Sequence, residues 1–152
     1  FSQPELASVI VDYAHTPDAL AHALDAAAMH TDGDVWCVFG CGGQRDKGKR
    51  PQMGKIASLK SQHVVLTADN TRNETVQSIS ADIKTGIDDP HNVVVIDERT
   101  DAIKYALQHA RPGDIVLLAG KGHETYQDIN GQRLDYDERA FVSQLLQELP
   151  TC

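Results

Sequence analysis

The sequence predicts an α/β domain in which a mostly parallel sheet carries helices on both faces. Three observations carry that prediction. Apolar runs of strand length alternate with stretches of helical period along most of the 152 residues, the order that builds a parallel sheet through crossover helices. The runs are nearly continuous rather than alternating with polar residues, as strands covered on both faces must be. Polar, glycine-containing or capping turns follow the runs at Gly40–Arg50, Asp69–Arg72 and Gly120–Glu124. Open parallel sheets keep their ligands in the crevice outside the carboxyl ends of the strands, so these three loops are expected to converge there.

Each element has a local reason. Pro4 keeps residues 1–6 irregular, as a linker entering a domain. Ala7–Val11 reads as the first buried strand. Thr16 is a good N-cap and Pro17 suits the first helical position, and Leu20, Ala23, Leu24, Ala27 and Ala28 then recur at helical spacing up to about His30. Asp32-Gly33-Asp34 turns the chain into a second strand, Val35–Phe39. A helix carrying Met53, Ile56 and Ala57 follows Pro51. Val64–Thr67 is the third strand, and Val76, Ile79, Ile83 and Ile87 mark the next helix. Val93–Ile96, a helix through Ala102–Ala110 and Ile115–Ala119 complete the alternation. After Glu124 the pattern changes. Thr125–Ile129 and Gln132–Tyr136 flank Asn130-Gly131, a strong two-residue hairpin signal. One arm is expected to add an antiparallel edge strand, giving about six strands in all. Asp137 caps a last helix through Ala140, Phe141, Leu145 and Leu146.

Composition narrows the function. A formal net charge of −8 argues against a general nucleic-acid surface, which would be basic. No apolar run approaches the roughly 20 residues a membrane helix needs. The three cysteines, Cys37, Cys41 and Cys152, have no disulfide-framework spacing and read as reduced thiols in a cytoplasmic protein. Cys37-x-x-x-Cys41 lacks the second pair or histidine that a zinc site needs, so no metal site is expected there.

The loops carry the chemistry. Gly43-x-x-x-x-Gly48-Lys49 nearly spells a phosphate-binding P-loop between strand and helix, but Arg50 stands where Ser or Thr must hold magnesium. What remains is a glycine turn with Arg45, Lys47, Lys49 and Arg50, either a solvated basic loop or an anion clamp. Asp69-Asn70 either caps the next helix or joins a binding site, and Arg72 offers a rigid charged fork for a carboxylate or phosphate. In Gly120-Lys121-Gly122-His123-Glu124, the glycines allow close backbone approach to a ligand, Glu124 can accept from an ammonium, and His123 is either a proton carrier or a local hydrogen bonder. Asp12 and His15 either contact a nucleotide or belong to the helix cap around Thr16-Pro17.

Taken together, Asp12–Pro17, Phe39–Gly43, Arg45–Pro51, Asp69-Asn70-x-Arg72 and Gly120–Glu124 resemble the C-terminal domain of the Mur ligases, in the branch that adds meso-diaminopimelate to UDP-N-acetylmuramoyl-L-alanyl-D-glutamate. The resemblance covers nearly the whole chain in the right order. It implies a three-layer Rossmann-like domain over residues 1–152, with the UDP-binding and central ATPase domains of the family lying outside this stretch. It implies an ATP-dependent ligase of peptidoglycan precursor synthesis, cytoplasmic and monomeric, whose ATP and Mg2+ are held mainly by the central domain. The isolated domain is then expected to be inactive. By the same resemblance Arg45, Asp69, Asn70, Thr71, Arg72, Gly120 and Glu124 fall at diaminopimelate-contacting positions, and Asp12 and His15 at nucleotide-contacting ones. Thr71 stands where the family pattern has proline, and is expected to loosen the loop that proline would pre-set. A stand-alone amino-acid or nucleotide-binding module without activity is the alternative.

Overall fold

A computed structural model describes residues 7–42, 47–89, 93–121, 124, 126–129 and 132–148. Its elements run β1 (Ser8–Asp12), α1 (Pro17–Met29), β2 (Val35–Phe39), α2 (Lys49–Lys60), β3 (His63–Leu66), α3 (Val76–Lys84), β4 (Val93–Val95), α4 (Arg99–His109), β5 (Ile115–Ala119), β6 (Tyr126–Ile129), β7 (Gln132–Asp135) and α5 (Glu138–Glu148). The first five strands form one sheet in the order β1-β5-β2-β3-β4, and every pairing in it is parallel. The chain steps from β1 past one vacant position to β2, β3 and β4, and β5 then returns to fill that position.

The caps at Thr16 and Asp137 act as the sequence expects, whereas α3 is capped by Thr75 rather than by Asp69-Asn70. The Thr16 hydroxyl accepts from Ala19 N at 3.2 Å, with Pro17 opening α1. Thr75 accepts from Ser78 N at 3.0 Å to start α3, and Asp137 accepts from Ala140 N at 3.1 Å to start α5. Each satisfies a donor that the first helical turn leaves without a partner. The helix α2 begins at Lys49, before Pro51 rather than after it. Proline is tolerated there because the first-turn N–H groups have no intrahelical acceptor.

Side chains divide cleanly across the sheet. On one face Val35, Cys37, Phe39, Val64, Leu66, Ile115 and Leu117 pack under Leu20 and Leu24 of α1, Met53 and Ala57 of α2, and Ile79 and Ile83 of α3. On the other, Trp36, Val38, Val65, Val116 and Leu118 pack under Ala102, Ile103 and Leu107 of α4 and Val142, Leu145 and Leu146 of α5. Successive residues of each strand thus serve opposite cores, as the two-residue strand period requires. The α/β class with helices on both faces is therefore as the sequence reads.

The hairpin differs from expectation. β6 and β7 pair antiparallel in a two-stranded sheet of their own, and the large sheet has five strands, none of them antiparallel. An isolated backbone bridge, Arg72 to Ile129, joins the hairpin to the loop after β3. Its Asn130-Gly131 turn lies outside the described residues. Local alternation specifies a hairpin but not the surface on which it docks.

A second finding is a charged core at the carboxyl edge of the sheet. Arg99 at the start of α4 and Glu138 at the start of α5 are both fully buried. The Arg99 guanidinium donates to both Glu138 oxygens at 2.5 and 3.0 Å, to Ala68 O at 3.0 Å and to Ala119 O at 2.9 Å. Burial alone would lower its pKa, and the Glu138 carboxylate outweighs that and holds it above the ordinary arginine value. Tyr136 completes the cluster by donating to Glu138 Oε1 at 2.7 Å. Ala68 and Ala119 immediately precede Asp69 and Gly120, so this pair pins the backbone from which two of the three polar loops depart.

Candidate functional site

The described parts of the three loops do converge. With the turn after β1 and the first residue of β6, they enclose a cleft of about 450 Å³ at the carboxyl ends of β1, β5, β2 and β3. Of the residues singled out in the sequence, His15, Asp69, Asn70, Arg72, Gly120 and Glu124 line it. Thr71 and Asp12 are not among the described residues that line it, and Arg45 and His123 lie outside the described residues.

The loop after β3 is wound tightly. Thr71 N donates to Asp69 O at 3.1 Å, and Glu74 N donates to Thr71 O at 3.0 Å. Arg72 adopts φ 55°, a left-handed conformation uncommon outside glycine, asparagine and aspartate, and its guanidinium donates back to Asn70 O at 3.2 Å. The bond from Thr71 N is one that proline could not make. Thr71 is also buried, so a hydrogen bond sits where a proline ring would otherwise set the backbone.

Gly120 faces this loop with φ 109°. A β-carbon there would sit 2.7 Å from Asp69 Oδ2. Glycine is thus required twice, by its backbone conformation and by the close approach of the carboxylate.

The centre of the cluster is Lys121, a residue the sequence reading quoted in its motif without giving it a role. It is fully buried. Its Nζ lies 2.6 Å from Asn70 Oδ1, 2.8 Å from Tyr126 O, 3.1 Å from Asp69 Oδ1 and 3.6 Å from Glu124 Oε1. A buried ammonium is tolerated only when paired and hydrogen-bonded in this way. The signal that could have found it is its place between two glycines directly after β5, where a long side chain can turn back under the loop.

Within the described part of the basic loop, Arg50 is neither solvated nor open to an anion. Arg50 is fully buried and donates to Glu74 at 2.8 and 3.2 Å, to Asp82 at 2.8 Å and to Gly42 O at 3.0 Å. Its hydrogen bond with Glu74, more than the opposing burial, holds its pKa above the ordinary value. Arg50 is therefore a structural tie between the glycine loop, the loop after β3 and α3, and it occupies the place where a P-loop would put a magnesium-binding hydroxyl. Lys47 pairs with Glu74 at 3.7 Å. Lys49 lines the cleft and donates to His15 O at 2.9 Å.

The β1 turn is mostly self-contained. Asp12 Oδ2 accepts from Ala14 N at 2.9 Å, and Asp12 O accepts from Gly120 N at 3.0 Å. The exposed His15 ring bonds Tyr13 O at 2.9 Å through Nδ1 and meets the Tyr13 ring edge-on at 4.7 Å. Tyr13 is 46% exposed, so an aromatic rim borders the cleft. Among the described residues no group of three or more His, Cys, Asp or Glu side chains could hold a metal ion.

A parallel sheet covered by helices on both faces, with a cleft lined by charges of both signs at its carboxyl edge, defines a three-layer α/β domain. The chain belongs to the family described as Mur ligase, glutamate ligase domain, whose profile matches residues 2–122. Among solved structures it is similar to a UDP-N-acetylmuramoyl-L-alanyl-D-glutamate–2,6-diaminopimelate ligase, at 43% identity over 96% of this chain and 32% of that one, with a TM-score of 0.86. A murein peptide ligase from Psychrobacter arcticus shares the fold at 17% identity and a TM-score of 0.61, over 97% of this chain and 29% of that one. A bifunctional folylpolyglutamate synthase/dihydrofolate synthase from Yersinia pestis shares it at 18% identity and a TM-score of 0.59, over 78% of this chain and 28% of that one. The chain thus spans about a third of the length of the structures it matches.

Proposed function

We propose that this domain is the amino-acid-presenting part of an ATP-dependent ligase of peptidoglycan precursor synthesis, and that it positions meso-diaminopimelate for addition to UDP-N-acetylmuramoyl-L-alanyl-D-glutamate. The observation that carries the reading is the presence of both charge signs in one cleft, which Arg72, Asp69 and Glu124 all line. Diaminopimelate has two carboxylates and two ammonium groups. Arg72, with Arg45, suits a carboxylate, and Glu124 suits the distal ammonium. Lysine lacks the second carboxylate, and a guanidinium set out for it would be left unpaired, which disfavours lysine. The 43% identity to a diaminopimelate ligase supports the same choice.

In the reaction proposed, the glutamyl carboxylate of the nucleotide substrate takes a phosphoryl group from ATP and releases ADP. The amine then attacks the acyl-phosphate carbon, the amide forms, phosphate leaves and the nitrogen loses a proton. The residues here contribute orientation, which can lower a barrier substantially, and closure of the domain over the acyl phosphate would keep water out. Asp12 and His15 are the nucleotide-contacting candidates, with His15 on the rim of the cleft. Among the described residues no group of three or more His, Cys, Asp or Glu side chains could hold Mg2+, which the resemblance assigns mainly to the central domain. The full-length enzyme is read as a cytoplasmic monomer, as the family resemblance implies.

The test is Arg72→Ala in the full-length enzyme. The diaminopimelate KM is expected to rise ~10- to 100-fold, the worth of a charged hydrogen bond, with the ATP KM changed far less. Equal effects on both would sink the carboxylate-clamp reading. Amide-shift titration of this chain with meso-diaminopimelate, L-lysine and ATP in turn reports the same preference without turnover.

A further inference from the structure

The structure assigns Lys121 a role beyond filling the core: we infer that it is the positioning residue that aims the Asp69 and Glu124 carboxylates into the cleft to receive the ammonium of an amino-acid ligand. The inference deepens the proposed function and rests on it for the identity of the ligand.

An ammonium has three protons. The three nearest acceptors of Lys121 Nζ are Asn70 Oδ1 at 2.6 Å, Tyr126 O at 2.8 Å and Asp69 Oδ1 at 3.1 Å. The first two are hydrogen bonds, and Asp69 is held as a close ion pair. Glu124 Oε1, at 3.6 Å, is held by charge without a direct bond. Its carboxylate keeps its capacity to accept from a ligand, while the lysine charge offsets the cost of crowding it near Asp69. Asp69 is oriented from both sides, by Lys121 on Oδ1 and by the Gly120 backbone, whose missing β-carbon leaves room for Oδ2. The contact to Tyr126 O also anchors the start of the hairpin to the cleft wall. One buried charge thus sets three elements at once: the loop after β3, the loop after β5 and β6. Lys121 touches no ligand in this scheme. It acts through the groups that do.

The test compares Lys121→Met and Lys121→Ala with the wild-type full-length enzyme, after thermal unfolding has established that each folds. For Lys121→Met the KM of the amino-acid substrate is expected to rise ~10- to 100-fold, with the ATP KM within about twofold. Ethylamine or propylamine added to Lys121→Ala should restore part of the lost affinity by placing an ammonium in the vacated space, and neutral propanol should not. An unchanged amino-acid KM overturns the inference. So does a uniform loss in kcat and both KM values without amine rescue, which would mean a purely structural lysine. Carboxyl 13C shifts of Asp69 and Glu124 should move in Lys121→Met while that of Asp114 stays, and unmoved shifts also overturn it. If the wild-type enzyme uses no diaminopimelate, the functional reading fails, and these shifts still decide whether Lys121 positions the two carboxylates.

Discussion

Replacing Arg99 by methionine should unfold the domain more readily than almost any other single change. The substitution keeps most of the side-chain volume and deletes the guanidinium. It leaves the Glu138 carboxylate fully buried, facing the Tyr136 hydroxyl at 2.7 Å, and strips the donors from Ala68 O and Ala119 O. Removing one partner of a buried ion pair costs about 3–5 kcal/mol, against a total stability of roughly 5–15 kcal/mol for a domain. With a urea slope of about 2 kcal/mol/M, a loss of about 4 kcal/mol lowers the midpoint by roughly 2 M. Urea titration of the 152-residue chain, followed by the fluorescence of its one tryptophan and by far-UV circular dichroism, measures this directly. Adding Glu138→Leu to Arg99→Met removes the stranded carboxylate, and the double variant is expected to be more stable than the single one. A midpoint lowered by less than about 0.5 M would refute the reasoning. A double variant no better than the single would place the cost in the two orphaned carbonyls.

Gly120→Ala places a side chain at φ 109°, with its β-carbon 2.7 Å from Asp69 Oδ2. It should cost about 1–3 kcal/mol in urea titration and weaken amino-acid binding through Asp69, and full stability would contradict the geometry. Asp114 accepts from Asp34 N at 2.9 Å, Arg111 N at 2.9 Å and the Trp36 indole at 3.3 Å. Burial alone would raise its pKa, and these bonds outweigh that and hold it below the usual value. Its contribution is therefore present above the unfolded carboxyl pKa of about 3.9 and is lost as pH falls through the depressed folded value. Asp114→Asn should be less stable at pH 7 by about 1–3 kcal/mol, with the gap to wild type closing in acid, and a gap constant with pH would rule this out. Burial pushes the Cys37 and Cys41 thiols up to about 12. In a Cys152→Ser chain at pH 8 both should stay silent to a thiol-disulfide reagent until urea is added, and fast labelling of that native chain would count against their burial.

The sequence by itself determined what depends on neighbours along the chain. Apolar runs fixed which segments are strands, and their continuity fixed that both faces are covered. Thr16 and Asp137 started helices because a cap acts within one turn. The loops at the strand ends were legible because a parallel crossover always leaves them on one edge. Tertiary structure alone decided what depends on partners far away. In the sequence Arg50 reads as a solvated or anion-binding charge, Lys121 has no assigned role and Arg99 and Glu138 carry no local signal, yet each is fully buried. Arg99 meets a carboxylate 39 positions away and Lys121 an amide 51 positions away. No local pattern encodes such a partner, and without one a charge has no energetic reason to be inside. The separate docking of the β6-β7 hairpin has the same origin. Turn chemistry closes a hairpin, whereas its place in the fold is set by the surface it meets, here the Asp69–Arg72 loop and the lysine beneath it.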